Sequence, residues 1–106
     1  MPLSIDLFSQ GQLTNTQGVL YKPDSGQAAS IKVTLVNTAG NTIKVNLYLK
    51  KGSDTARRIT PKDLELGAQH RYTTCYHELG EGDSVEGKAA AGSLVDYTIN
   101  GVLKSG

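Results

Sequence analysis

From Ile43 to Lys50 the chain reads IKVNLYLK, with an apolar residue at every second position. A strand sends successive side chains to opposite faces, so this order yields one greasy face and one wet one. A helix would scatter Ile43, Val45, Leu47 and Leu49 around its circumference. Upstream, Ile31, Val33 and Leu35 alternate with Lys32 and Thr34 in the same way. The connection NTAGN, Asn37 to Asn41, contains Gly40 and two asparagines. These residue types tolerate positive φ, so the segment reads as a hairpin turn.

The same logic returns in HRYTTCYHEL, DSVEGKAA and LVDYTINGVL, separated by GEGD and AAGS. Alternation turns Val85, Gly87 and Ala89 inward on one strand and Val95, Tyr97 and Ile99 inward on the last. The small residues Gly87, Ala89 and Ala90 leave room for a larger neighbour such as Tyr97 on the facing sheet. In RITPKDLELG, Thr60 is placed to cap a single helical turn, with Pro61 first and Asp63 three residues after the cap. Gly67 comes too soon for a long helix, so a short strand or turn is expected, with Leu64 and Leu66 closing one end of the core. Near the N-terminus Leu3, Ile5 and Leu7 share one side before Phe8 breaks the register. Residues 1–26 read either as edge strands of the same domain or as an arm packed on a neighbouring subunit.

These short strands and tight turns predict an all-β fold: a single antiparallel β-sandwich of immunoglobulin-like or jelly-roll type. The 106 residues are one domain on length alone.

A formal net charge of +1 gives no general attraction for a polyanion, so no nucleic-acid partner is expected. No stretch approaches the ~20 apolar residues of a membrane span, and MPLSIDLF has neither a basic n-region nor an apolar h-region. No membrane partner is expected, and assembly in a reducing cytosol fits the single cysteine, Cys75. Cys75 and His77 lie two apart on one strand face and could offer zinc two ligands, but not four. As a nucleophile and base they lack a third group to orient the imidazole. Glu78, Glu81 and Asp83 converge on ELGEGDS without the spacing of a calcium loop, which favours a solvated acidic turn. Ser84 and Ser93 sit in turns without a nucleophile-elbow sequence. The expectation is a non-enzymatic chain with no cofactor, no metal and no catalytic residue. Lys50, Lys51, Arg57 and Arg58 flank GSDT and are expected to gather at one tip, as a solvated hairpin or as a docking point for an acidic surface.

The strings VNTAGNTIKVNLYL, RITPKDLELG and LGEGDSVEGKAAAGSLVDYTINGV, spread over about Ile31 to Val102, resemble a pattern in small bacteriophage virion proteins. There an apolar strand, an asparagine-containing turn, a V-N-L-Y-like strand, an L-x-x-GD-x-I-x-G-x-A hairpin and a V-x-Y-T-I-x-G-V strand follow in this order. The resemblance implies a multi-copy structural part of a virion, assembled in the host cytoplasm. Its implied role is to decorate or cement the capsid by bridging shell subunits, or to serve as a tail-associated accessory. The implied partners are the major capsid protein or tail proteins, with further copies of the chain itself in a homo-oligomer. Leu3, Ile5, Leu7 and Phe8 are the candidates for an apolar contact, and Lys50, Lys51, Arg57 and Arg58 for a polar one. A competing expectation is a receptor- or carbohydrate-binding module in which Tyr48, Tyr72 and Tyr76 form one recognition surface.

Overall fold

The computed structural model describes residues 3–105, with side chains over 7–103. The described residues form strands and no helix. In chain order these are β1 (Leu3–Gln12), β2 (Gly18–Tyr21), β3 (Gln27–Asn37), β4 (Ile43–Lys50), β5 (Arg57–Arg58), β6 (Leu64–Leu66), β7 (Arg71–Thr73), β8 (His77–Leu79), β9 (Ser84–Ala89) and β10 (Val95–Ser105). The first sheet runs β1-β10-β3, with β7 and β8 both paired to the far side of β3. The second runs β2-β9-β4, with β5 and β6 both paired to the far side of β4. Every pairing is antiparallel.

Among the described strands the chain therefore changes sheet at six of the nine connections. The first strand lies beside the last, and the second beside the last but one. That is the order of a jelly roll, a two-sheet fold made of nested Greek keys. An immunoglobulin sandwich would instead join several sequence-adjacent strands in one sheet. Here β4 and β5 are the one sequence-adjacent pair bonded side by side among the described strands.

This order corrects the expected hairpin at Asn37–Asn41. β3 and β4 lie in different sheets, and the segment is a corner between them. What shapes it is the Asn37 side chain, which is fully buried. Its amide nitrogen donates to the carbonyl oxygens of Asn41, Leu66 and Gly67 at 2.8, 2.9 and 3.2 Å, and its oxygen accepts the Ala39 N–H at 2.9 Å. A carboxamide has two donor hydrogens and an acceptor in one plane, so one side chain can satisfy backbone groups from three directions.

The inward faces follow the alternation. Ile31, Val33, Leu35, Val45, Leu47, Val85, Val95 and Ile99 are fully buried, and Ile43, Leu66 and Ala89 nearly so. Leu49, Leu64 and Tyr97 pack against this core from its margins. Gly87 faces inward as expected. A Cβ there would meet Leu20 and Leu47 at 3.0 Å and Leu13 at 3.3 Å, so leucines occupy the space it leaves. The Tyr97 ring lies against Gly11, its partner across the β1–β10 ladder, at 3.2 Å from where a Cβ would be. At Gly87 the neighbours are leucines rather than the expected Tyr97, whose ring covers a glycine in its own sheet. Leu13 joins the core with no exposed surface, because the chain changes sheets there: its N–H bonds to Val95 of the first sheet, and Thr14 accepts from Ala89 of the second.

Two threonines repair the outer strands. Between β5 and β6 the ladder along β4 is interrupted, and the buried Thr60 hydroxyl accepts the Leu47 N–H at 3.2 Å. Between β7 and β8 the ladder along β3 is interrupted in the same way, and the buried Thr74 hydroxyl accepts the Val33 N–H at 3.0 Å. Thr60 is thus a substitute for a strand carbonyl, and the helical turn considered for TPKD does not form; Asp63 instead adopts a left-handed φ of 54°. Replacing either threonine by valine keeps the volume and removes the acceptor. Each change should cost about 1–3 kcal/mol, the usual price of leaving a buried N–H unpaired. The two losses should add, since the sites lie on different sheets. Urea denaturation of the single and double variants reads this directly; a valine variant with unchanged midpoint would mean the N–H finds another partner.

Candidate functional site

β1 is an edge strand of its own domain. It pairs with β10 from Leu3↔Lys104 to Gln12↔Asp96, with one register shift between Leu7 and Ser9. Phe8 is the extra residue at that bulge, where the apolar alternation of the sequence breaks. Its half-buried ring stacks on Tyr21 of β2, with centroids 5.2 Å apart and planes 15° from parallel. Ser9 donates from its hydroxyl to the Leu20 carbonyl at 3.0 Å. Phe8 is therefore committed to closing the sandwich between β1 and β2. Burial, and then the charge of Asp24, push the Tyr21 phenol above its usual 10.0. Leu7 is 49% exposed. The side chains of Leu3 and Ile5, the other members of the expected apolar contact, lie outside the described ones.

The basic cluster gathers in part: Lys50, Lys51 and Arg57 line one groove, and Arg58 is not among its lining residues. β5 pairs with β4 through Tyr48↔Arg58 and Leu49↔Arg57. Neighbouring residues of a strand face opposite ways, so the two arginines diverge. Arg58 belongs with Tyr48 on the outer face of the second sheet. Arg57 belongs with Leu49 at the rim of the core, where an open groove of about 340 Å³ is also lined by Lys50, Lys51, Asp54, Ile59 and Asp83. Both arginines and Lys51 are exposed, while Lys50 is half-buried.

A second cationic group, which sequence spacing does not reveal, surrounds Asp63. The Asn46 side chain, only 4% exposed, donates to the Asp63 carboxylate at 3.1 Å and accepts the Asp63 N–H at 2.9 Å. This hydrogen bond holds the Asp63 carboxyl below its usual range, helped by the charges of Lys44, Lys62 and Lys88. These lysines are far apart in the chain, and the β4–β9 ladder brings two of them together. The only local signal is an asparagine on the wet side of β4, which reads as solvent-facing until its partner is seen.

The acidic turn has a structural task. Asp83 accepts the Gly52 N–H at 3.2 Å with one oxygen and the Gly80 N–H at 2.9 Å with the other. Glu81 accepts the Gly26 N–H at 2.8 Å. Two carboxylates thus fasten the β2–β3, β4–β5 and β8–β9 turns to one another at one end of the sandwich. Cys75 is exposed in the break between β7 and β8, while His77 is half-buried opposite Ile31. No group of three or more metal-ligating side chains occurs among the described residues.

The tyrosines are dispersed. Tyr48 lies on the second sheet, Tyr72 packs against the core opposite Leu35 of the first, and Tyr76 is 57% exposed with the Lys32 ammonium 5.4 Å from its ring centre. They do not form the single recognition surface expected of a glycan-binding platform, because alternation and the sheet change send them to different sides.

No protein-family model matches the chain. No curated protein matches it. No solved structure matches it.

Proposed function

We propose that this protein is a non-enzymatic, multi-copy structural component of a bacteriophage virion, decorating or cementing the capsid by bridging neighbouring shell subunits. The observation that carries the reading is the jelly-roll strand order, in which β1 is the outermost described strand of its sheet. A body of this kind, 45 × 27 × 20 Å, offers neighbours a strand edge and two sheet faces. Contacts of that type join shell proteins, since ladder hydrogen bonds supply adhesion and side chains supply choice of partner. The resemblance of its motifs to those of small virion proteins is offered in support of the same reading. The motifs map onto β3, β4, β6, β9 and β10, the strands and corners that build the sandwich.

In this role Arg58 would face an acidic patch on a shell protein from the outer sheet face, and Lys50, Lys51 and Arg57 would act from the rim groove. Purified virions of the parent phage should contain the chain in on the order of hundreds of copies, as expected of a part repeated by capsid symmetry. Its absence from washed particles would defeat the reading. Adding the purified chain back to particles that lack it gives the finer measurement. Arg58→Glu should weaken binding roughly ten- to a hundredfold, as reversal of one interfacial charge does. Arg57→Glu, acting on a different side, should have an effect independent of it. Equal binding by the Arg58→Glu and parent chains would remove the outer face of the second sheet from the contact.

A further inference from the structure

The two groups of cations on the second sheet differ in what neutralises them. In the rim groove Lys50, Lys51 and Arg57 are joined by Asp54, Glu78 and Asp83, so each positive charge has a negative counterpart. Around Asp63 the balance is uneven. Lys44, Lys62 and Lys88 all act on its one carboxylate, and among the described residues none of their ammonium groups is hydrogen-bonded or paired within 4.0 Å. Glu65 stands opposite Lys44 across the β4–β6 ladder, and counting it still leaves the group positive. Beside Asp63 lies a recess of about 160 Å³, lined by Lys44, Asn46, Asp63, Lys88 and the chain at Ala89 and Ala90. Alternation sets Lys44, Asn46 and Lys88 on the outer face of the sheet, with Asn46 directly opposite Lys88. The recess is built from fixed parts. Asn46 is only 4% exposed and holds Asp63 through both its carboxylate and its N–H. The Ala89 N–H bonds to the Thr14 carbonyl at 2.9 Å and the Ala90 N–H to the Lys44 carbonyl at 2.8 Å.

Resting on the structural role proposed above, we infer that this recess receives an aspartate or glutamate side chain from an acidic segment of a neighbouring protein, held between the Lys44 and Lys88 ammonium groups. The excess of positive charge selects an anion. The volume, roughly five waters, gives room for the end of one acidic side chain. The donors select a carboxylate over a phosphate. Phosphate is usually met by the planar fork of arginine or by a row of free backbone N–H groups, whereas here the charges are lysines and both alanine N–H groups are already bonded. Asp63 stays in the site as a fixed negative charge. It offsets one of the three cations, so a single contact is weak and reversible. Weak contacts suit a part present in many copies, where several sites engaged at once multiply their effect. Arg58 lies on the same outer face, so one acidic surface reaches both.

The test is a titration of the isotope-labelled full chain with a hexaglutamate peptide at low salt, followed by two-dimensional NMR. The Asn46 side-chain amide and the Ala89 and Ala90 backbone amides should shift together and saturably. The shifts should vanish at about 1 M salt, where the screening length falls to about 3 Å. Lys44→Gln and Lys88→Gln should each weaken binding on the order of fivefold, as loss of one nearby charge in water does. Asp63→Asn should strengthen it by a similar factor. Asparagine tolerates the left-handed backbone and keeps an acceptor for Asn46 while removing the negative charge, so a purely structural Asp63 would give no such gain. Spectra that are otherwise unchanged establish that each variant is folded. The absence of saturable shifts at millimolar peptide overturns the site, as does an Asp63→Asn chain that binds no more tightly than the parent. An oligonucleotide that moves the same signals at lower concentration than the peptide overturns the assignment to a carboxylate. All of this is measured on the isolated chain, whereas the virion role is read from washed particles, so either can fail without the other.

Discussion

Asn37→Ala is expected to lower stability by about 3–4 kcal/mol, since unpaired buried polar groups cost about 1–3 kcal/mol each and part of the loss is recovered by relaxation. For a domain of this size that is a fall in melting temperature of roughly 15–20 °C. The substitution takes partners from the carbonyls of Asn41, Leu66 and Gly67 and from the Ala39 N–H at once. Water cannot simply replace them, because Asn37 has no exposed surface. Asn37→Asp should not rescue the loss. It keeps the acceptor for Ala39 but presents a carboxylate to three carbonyl oxygens. Differential scanning calorimetry of the two variants checks both statements; a shift below about 5 °C, or ~1 kcal/mol, would mean that the corner is held by something else.

Gly101→Ala should be worse, costing about 4 kcal/mol or preventing folding, in the range reserved for steric conflict at an unyielding site. Gly101 pairs with Ile31 on one side and Asp6 on the other. A Cβ at this position would overlap the Ser30 carbonyl oxygen and come within 3.1 Å of the Ile31 Cα. Both belong to β3, which is hydrogen-bonded on both sides and cannot retreat without breaking ladders. Gly87→Ala provides the contrast. There the added methyl meets the ends of the Leu20 and Leu47 side chains, which can rotate away, so about 1–2 kcal/mol is expected. Urea midpoints measure the difference. If the two alanine variants unfold at the same concentration, the close approach at Gly101 is not what the glycine is for.

Where one residue type carries one consequence, the sequence was readable. IKVNLYLK and IKVTL placed their apolar residues inward, and Leu64 and Leu66 closed the core as their alternation implies. The break at Phe8 appeared in the fold as a bulge. Where a consequence depends on what another segment brings, it was not readable. Asn37 looks like a turn asparagine because its local partners suit a turn; its decisive bonds are to Leu66 and Gly67, about thirty positions away. Thr60 looks like a helix cap because the cap motif is local, whereas its actual partner is Leu47. Of the basic cluster, Lys50, Lys51 and Arg57 line one groove, while Arg58 is turned away because adjacency in a strand separates side chains.

The main strands and their inward faces were legible in the sequence itself, because side-chain alternation is a property of each strand taken alone; HRYTTCYHEL read as one strand and is split into β7 and β8. Which strands meet was decided only in three dimensions. The jelly-roll order, the four-way bracket at Asn37 and the threonine repairs all arise from contacts between distant segments, and no period in a local window encodes them.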